Sequence, residues 1–250
     1  MRSGIHQTSS EIAIEGDAAL SPMFIASGWA CRTRLARNGR RQIIGFLLPG
    51  DSIGFHGAHT SMNHTSIFAL TAVETVDGSD VREMAADRAQ YPGVGNALER
   101  LHLQHEEFLI NQIARLANPS REERVAHLLL ELQWRLQQTR LANHSEFPMP
   151  LSDGEIGDAL AIGYTAARNV LNGFRRQSVL RYRYGRAEIL RRDHLHKMSG
   201  FSPPLSGPPL TTSGRRAAPV ADKALMGSGR TLSLKVEKGD GGGRLGEIPD

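Results

Sequence analysis

The stretch from 151 to 180, LSDGEIGDALAIGYTAARNVLNGFRRQSVL, constrains the fold of this chain more than any other. Ser152 precedes Glu155 by three residues, which is the spacing of a capping box at the start of a helix. Apolar residues follow at helical spacing until 161–163 interrupts them, and a second helical run begins at Tyr164. This order predicts a helix-turn-helix.

The second predicted helix has two chemically different faces. One face is apolar and suited to packing, with Ala167, Val170, Leu171 and Phe174. The other carries hydrogen-bonding and cationic side chains, and we predict DNA contacts for Tyr164, Thr165, Arg168, Asn169, Arg175 and Arg176. Arg168 is suited to guanine and Asn169 to adenine, whereas Arg175 and Arg176 are expected on phosphates. For Tyr164, packing and DNA contact are equally open roles.

Positive charge is concentrated on this helix and the segment that follows it. From Arg168 to Lys197 there are eight Arg and one Lys against two acids, a local net charge of +7, whereas the whole chain carries +4. The run LRYRYGRAEIL at 180–190 alternates on both sides of Tyr184-Gly185 and predicts a β-hairpin wing. A solvated basic helix pair is the simpler alternative, but turn, wing and charge together favour binding to DNA phosphates.

Composition limits the remaining classes. The 250 residues can form one large domain or two modest ones. Neither an apolar run near 18 residues nor a basic-then-apolar leader is present, so we expect a cytoplasmic protein with no membrane partner. The single cysteine, Cys31, excludes an internal disulfide and any four-cysteine metal or iron–sulfur site within one chain. We predict no metal and no cofactor.

The N-terminal third contains short runs of strand character separated by Gly, Pro and Asp. They lie at 11–15, 25–32, 41–48, 53–55, 66–71 and 73–76. Such spacing predicts an antiparallel roll or barrel.

A long helix is predicted from 95 to 117, ended by Pro119. One broad stripe of this helix contains Leu98, Leu101, His105, Phe108, Leu109, Gln112, Ile113 and Leu116. We expect two copies to pair in parallel along it, so that two recognition helices meet half-sites roughly 34 Å apart. On this interpretation, Leu101→Glu and Phe108→Glu give monomers. The alternative is a helix that packs on its own roll.

Several segments in order resemble one family. They are EGD at 15–17, GWACR at 28–32, NGRRQIIGF at 38–46, LPGDSIG at 48–54 and EERVAHLLLEL at 122–132. Together with the helix-turn-helix they resemble the Crp/Fnr superfamily of bacterial transcription regulators over about residues 11–197. A second capping box, Ser120 with Glu123, begins a helix to about 138.

The resemblance implies an α+β fold with an N-terminal antiparallel, jelly-roll-like β-roll sensor, a long dimerisation helix and a C-terminal winged helix-turn-helix. We predict the boundaries 1–91, 92–118 and 119–197 for these parts. The segment 198–250 is rich in Pro and Gly with few large apolar residues, which predicts a disordered tail.

The resemblance also suggests an effector pocket. Cyclic-nucleotide pockets of the family use a Gly-Glu pair and then an Arg beside Ser or Thr to hold the cyclic phosphate. This chain offers Gly50 and Asp51 near the first position and His64 and Thr65 near the second, but lacks the Arg. We therefore expect an effector other than cyclic AMP. The missing cysteine set argues against the oxygen-sensing iron–sulfur branch.

The implied function is sequence-specific regulation of transcription on palindromic operators. Expected partners are double-stranded DNA and a second copy, with RNA polymerase as a further candidate. Relatives commonly have Ser or Asn followed by Arg where this chain has Arg168 followed by Asn169, so the familiar target sequence is not assumed.

Two other classes stay open. One is a degenerate, nonspecific DNA-binding protein. The other is an enzyme with a fused basic domain and an active-site loop at 49–54, but Pro, Gly and Asp there favour a simple β-turn, so we predict no enzyme. His56, His59 and His64 have metal-like spacing, yet no further ligand completes a set, which favours solvated loop histidines.

Overall fold

The computed structural model describes residues 3–55, 62–117 and 119–204. The predicted tail beyond 204 and the histidines at 56 and 59 lie outside these residues. The described elements are, in chain order, β1 Ser3–His6, β2 Glu11–Ala13, β3 Met23–Ser27, β4 Ala30–Leu35, β5 Arg41–Leu47, β6 Ser52–Ile53, β7 Ser66–Ala69, β8 Val73–Asp77, α1 Ser79–Ala86, α2 Pro92–Ala117, α3 Arg121–Gln138, β9 Glu146–Pro148, α4 Asp153–Leu160, α5 Tyr164–Arg176, β10 Leu180–Arg183, β11 Arg186–Ile189 and α6 Arg192–Ser199.

The N-terminal strands form two antiparallel four-stranded sheets. Their orders are β1-β8-β3-β6 and β2-β7-β4-β5. Inward-facing apolar residues of both sheets pack together between them, among them Ile25, Ile53 and Ile67. The predicted antiparallel roll is therefore confirmed.

The predicted strand at 25–32 is wrong, because it is two strands joined at Gly28. Gly28 has φ +85°, and a Cβ there would lie 2.0 Å from the Ala72 carbonyl oxygen. Only glycine fits this close approach. The chain passes from one sheet to the other at this residue, so β3 pairs with β8 in one sheet and β4 pairs with β7 in the other. Four short elements, β1, β9, α1 and α6, were not predicted.

Helix α3 is the centre of the second half of the chain. The Ser120 hydroxyl accepts from the Glu123 N–H, and the Glu123 carboxylate accepts from the Ser120 N–H, which confirms the capping box. The apolar residues on one face of α3 are all buried: Val125, Leu128, Leu129, Leu132 and Leu136. They share one hydrophobic core with Cys31 and Ile43 of the roll, and α3 also packs on α4 and α5.

Helix α2 does not present the predicted stripe as one exposed surface. Phe108 packs edge-on against Trp134 of α3, and Leu101 is on the side of α2 that faces α1. Gln112 is buried. The predicted stripe was too broad, since a helix can bury one part of it within the chain and leave the rest exposed.

A narrower exposed stripe runs along the same helix. Its members recur with alternating spacings of three and four residues: Leu103, Glu106, Ile110, Ile113 and Ala117. Leu109 flanks it and is also exposed. Residues at this spacing form the contact surface between the helices of a two-helix coiled coil.

Alanine substitutions at Gly157 and Gly154 test how closely the helix-turn-helix is packed. A Cβ at Gly157 would lie 2.6 Å from the carbonyl carbon of Gly163, so Gly157→Ala is expected to lower the free energy of unfolding by about 1 to 3 kcal/mol. Gly154→Ala in the same helix meets nothing closer than 3.7 Å and should be neutral or stabilising by up to about 1 kcal/mol. Urea unfolding of both variants measures the difference. Equal midpoints would contradict the close approach.

Candidate nucleic-acid interface and sensor cavity

The first helix of the predicted motif, α4, begins as expected. The Ser152 hydroxyl accepts from the Glu155 N–H at 3.2 Å, and the Glu155 carboxylate accepts from the Ser152 N–H at 2.6 Å. The helix ends at Ala161 in the left-handed region with φ 54°, and Gly163 follows with φ +74°. These two residues turn the chain into α5, so the interruption at 161–163 is the turn of the motif.

Helix α5 keeps its two faces apart in the structure. Its apolar face is buried in the core through Ala167, Val170, Leu171 and Phe174. Thr165, Arg168 and Asn169 on its N-terminal half are exposed. Arg175 and Arg176 in its last turn are exposed as well. The structure thus brings the predicted DNA-contacting residues together on one accessible surface, which we call the recognition face.

Tyr164 lies on the recognition face rather than in the core. Its side chain is 53% exposed, and its hydroxyl accepts a hydrogen bond from Arg168 Nη1 at 3.1 Å. Arg175 Nη1 donates to Asn172 Oδ1 at 3.0 Å, and its guanidinium lies 5.5 Å from the Tyr182 ring centre. Neighbouring side chains therefore hold both arginines in place on the protein surface.

The predicted wing is the β10–β11 hairpin. Its turn residues Tyr184 and Gly185 both have positive φ, 52° and 71°, as a two-residue type I′ turn requires. Tyr184 is 99% exposed at the tip. Arg181 pairs with Glu188 at 2.9 Å, and Arg186 pairs with Glu146 at 2.5 Å. Tyr184 was not predicted as a site residue, although its place between the two alternating runs was a signal that it caps the hairpin.

Three side chains from other elements bind the free carbonyl groups at the end of α4. Gln42 Nε2 donates to Asp158 O at 2.6 Å, and Gln112 Nε2 donates to Ala159 O at 2.6 Å. Arg124 Nη1 donates to Leu160 O at 3.1 Å. The Arg41 guanidinium also pairs with the Asp158 carboxylate at 2.9 Å. We call these contacts the α4 clamp, and they fix the helix-turn-helix to β5, α2 and α3.

A buried ion pair lies beside the clamp. Arg115 Nη1 donates to Glu131 Oε2 at 2.7 Å, and Arg115 Nη2 donates to Gln112 Oε1 at 2.8 Å. His127 Nδ1 lies 3.0 Å from Arg115 Nη1. Burial and the nearby Arg115 charge lower the pKa of His127 to about 4, so its ring is neutral at pH 7.

A cavity of about 620 Å³ lies between the inner faces of the roll and α2. Of the predicted effector residues, His64 and Thr65 line it. Gly50 and Asp51 are not among the residues that line it. The cavity does receive an arginine that the sequence comparison missed, Arg32 of β4. Residues in β4 alternate between the two faces, and this alternation was the available signal.

Asp51 has a structural role instead. Its carboxylate accepts from the Leu48 N–H at 2.7 Å and pairs with Arg135 of α3, and His105 Nε2 lies 3.6 Å away. Burial opposes ionisation, but Arg135 and His105 outweigh it and lower the pKa of Asp51. The loop at 49–54 therefore links the roll to α3.

Cys31 is buried within the sheet, and burial raises the pKa of its thiol to about 12.

Among residues 3–55, 62–117 and 119–204, no group of three or more His, Cys, Asp or Glu is arranged to hold a metal ion. In the same residues, no helix is long and apolar enough to cross a membrane.

A β-roll followed by a long helix and a winged helix-turn-helix defines a two-domain transcription regulator. Residues 7–86 match the cyclic nucleotide-binding domain family, and residues 123–198 match the Crp-like helix-turn-helix domain family. The chain belongs to the Crp/Fnr superfamily of transcription regulators.

Curated relatives and solved structures agree with this assignment. The chain is 28% identical to the fumarate and nitrate reduction regulatory protein of Vibrio cholerae over 198 residues, covering 78% of each chain. It is 25% identical to the transcriptional activator protein FnrA of Stutzerimonas stutzeri, covering 66% of this chain and 67% of that one. FixK2 from Bradyrhizobium japonicum has the same fold, with a TM-score of 0.68, 23% identity and coverage of 80% of this chain and 98% of that one.

The neutral, half-buried His127 makes stability depend on pH. Its folded pKa of about 4 is below the ordinary value of 6.5, so the unfolded chain takes up the proton first as pH falls. We expect this difference in pKa to lower the free energy of unfolding by roughly 2 kcal/mol as the pH falls from 7 to 4. Urea unfolding should show a weaker loss in His127→Gln, which keeps an acceptor for Arg115. His144→Gln, an exposed histidine, is the control, and parallel profiles for parent and His127→Gln would contradict the assignment.

Proposed function

We propose that this chain regulates transcription by binding palindromic operators as a homodimer through the recognition face of α5. The observation that carries the proposal is the separation of faces on α5, where a fully buried apolar side seats the helix and Thr165, Arg168 and Asn169 remain accessible. The N-terminal half of such a helix reads base edges in the major groove. Double-stranded DNA is therefore the proposed partner.

The side chains of the recognition face fall into two groups, one suited to base edges and one suited to phosphates. Arg168 presents a guanidinium suited to guanine O6 and N7, and Asn169 an amide suited to adenine N6 and N7. Arg175 and Arg176 in the last turn, together with Arg183 in the wing, are exposed and suited to phosphate. Because relatives commonly order the first pair differently, we propose that the operator differs from the familiar one.

Dimerisation is proposed along the exposed stripe of α2. Leu103, Ile110 and Ile113 are large, apolar and exposed at heptad spacing. A parallel pair of such helices would bury them and place the two recognition helices on one side of the DNA. Glu106 lies within the same stripe and is its least favourable member.

The alternative functions are less well supported. In the loop at 49–54, the Asp51 carboxylate already binds Arg135 and the Leu48 N–H, which supports a structural role rather than catalysis. A degenerate, nonspecific DNA-binding protein would share the fold, and the next experiment separates it from a specific regulator. RNA polymerase is a further partner that the proposed role suggests.

Sequence selection from a random DNA pool tests the recognition face. The parent protein should enrich a palindrome, and Arg168→Ala should relax one base position in each half-site at a cost of about 1 to 3 kcal/mol. Arg175→Ala should weaken all sequences alike and reduce the salt slope of log K by about 1.

Arg88→Ala is the matched control, since Arg88 is an exposed arginine that pairs with Glu99 outside the helix-turn-helix. Binding without any enriched palindrome supports the degenerate alternative. Unchanged binding in both α5 variants contradicts the proposed interface.

Sedimentation equilibrium tests the α2 stripe. Ile113→Glu should give monomers, because two copies of a charged side chain would face each other at the seam. Leu35→Glu is a close control, since Leu35 is 73% exposed on the roll and Ile113 is 69% exposed on α2. Monomeric parent protein, or a dimer that persists in Ile113→Glu, contradicts the proposed interface. This test replaces the substitutions at Leu101 and Phe108, which contact other parts of their own chain.

A further inference from the structure

The Arg168 guanidinium is held by an uncharged group. Its Nη1 donates to the Tyr164 hydroxyl at 3.1 Å, and its Cζ lies 6.0 Å from the centre of the Tyr164 ring. Arginines in surface ion pairs elsewhere have a carboxylate partner instead: Arg34 with Glu15, Arg88 with Glu99 and Arg181 with Glu188. Helix α5 contains neither Asp nor Glu, so no acid of the same helix neutralises Arg168.

The helix brings these two side chains together. Tyr164 is the first residue of α5, and Arg168 follows four positions later on the same face of the helix. Both are exposed, while Ala167 and Val170 are buried in the core. The ring therefore lies beside the guanidinium on the recognition face, where both side chains are accessible.

A neutral acceptor orients an arginine without cancelling its charge. A free arginine side chain has many rotamers, and fixing one of them on binding costs conformational entropy. The Tyr164 hydroxyl restricts these rotamers before any DNA is bound. A carboxylate in its place would compete with DNA for the guanidinium, because it is a charged acceptor of the same kind as a phosphate.

The contact with Tyr164 leaves the rest of the guanidinium available. Guanine presents two acceptors in the major groove, O6 and N7, and an arginine binds them through two neighbouring N–H donors. The Tyr164 hydroxyl binds Nη1, whereas Nε and Nη2 form another edge of the planar group. That edge is suited to the two guanine acceptors while Nη1 stays bound to the protein.

We propose that Tyr164 is a positioning residue whose hydroxyl orients Arg168 for guanine at one position of each half-site. This inference rests on the proposed function and deepens it, because it assigns the base preference to a pair of side chains rather than to Arg168 alone. The role differs from both packing in the core and direct contact with DNA, the two roles that the sequence leaves open for Tyr164.

The ordering of Arg168 is measured first, on the full-length protein without DNA. Nuclear magnetic relaxation of the Arg168 Nε–H group should give a larger order parameter than the same group of Arg176, an exposed arginine of the same helix. In Tyr164→Phe, which keeps the ring and removes the hydroxyl, the Arg168 value should fall to that of Arg176. Equal values for the two arginines in the parent protein overturn the proposal.

DNA binding tests the base preference. The probes are the palindrome that the parent enriches and a second duplex, in which the base pair relaxed by Arg168→Ala is replaced. Tyr164→Phe should weaken binding to the first by about three- to tenfold for each half-site, and to the second by less than about twofold. Tyr91→Phe is the control, since Tyr91 is an exposed tyrosine outside the helix-turn-helix, and it should change neither affinity.

A double-mutant cycle shows whether the hydroxyl acts through Arg168. In an Arg168→Ala background, Tyr164→Phe should cost less than about twofold on the palindrome, because the group that it positions is gone. A hydroxyl that bound a phosphate directly, or that only stabilised the helix, would give the same loss in both backgrounds. Equal losses therefore overturn the proposal.

The outcomes separate this inference from the proposed function. If the parent enriches a palindrome and Tyr164→Phe binds it as tightly, the inference fails and the proposed function stands. If the parent enriches no sequence, the proposed function fails and the base preference fails with it. The relaxation measurement needs no DNA, so it decides in either case whether Tyr164 orders Arg168.

Discussion

The α4 clamp is the contact on which the arrangement of the two halves depends. The last turn of a helix leaves carbonyl oxygens without partners, and burying them unpaired is costly. In α4 these oxygens are satisfied by side chains from three elements: Gln42 of β5, Gln112 of α2 and Arg124 of α3. The helix end therefore completes its hydrogen bonds only when roll, long helix and DNA-binding domain are assembled. Any movement of α4 must first exchange these partners.

The need to pair every buried polar group also explains where the arginines lie. Arg115 and Arg135 lie in the interior, and each is matched to a carboxylate, Glu131 or Asp51. Those on the recognition face are exposed and held only by uncharged neighbours such as Tyr164 and Asn172. Interior arginines thus connect elements, while exposed ones keep their charge available to an external anion. The high local charge between 168 and 197 is a property of the accessible surface.

Local signals in the sequence were sufficient for helices α3, α4 and α5. The capping boxes at Ser120 and Ser152 and the apolar face of α5 each depend on residues a few positions apart, and all three are present in the structure. The sheet was harder, because the break at Gly28 is imposed by the Ala72 carbonyl, more than forty residues away in the chain. The stripe of α2 was misjudged for a similar reason, since periodicity cannot say which of two apolar neighbours a helix meets.

The effector residues show the same limit. Asp51 was selected from its position in a motif, but Arg135, which binds its carboxylate, lies on α3, 84 residues further along the chain. Arg32 was overlooked because the comparison sought an arginine beside His64 and Thr65, whereas this guanidinium reaches the cavity from another strand. Contacts between residues far apart in the sequence decide both outcomes.

One consequence concerns the sulfur chemistry of this regulator. The thiol of Cys31 in β4 is buried, and its pKa is raised to about 12. The thiolate form is therefore almost absent at neutral pH. The thiolate is the form that attacks peroxides and disulfides as a nucleophile. In the folded protein Cys31 is therefore a poor nucleophile toward oxidants, and its burial keeps it away from the thiol of a second copy.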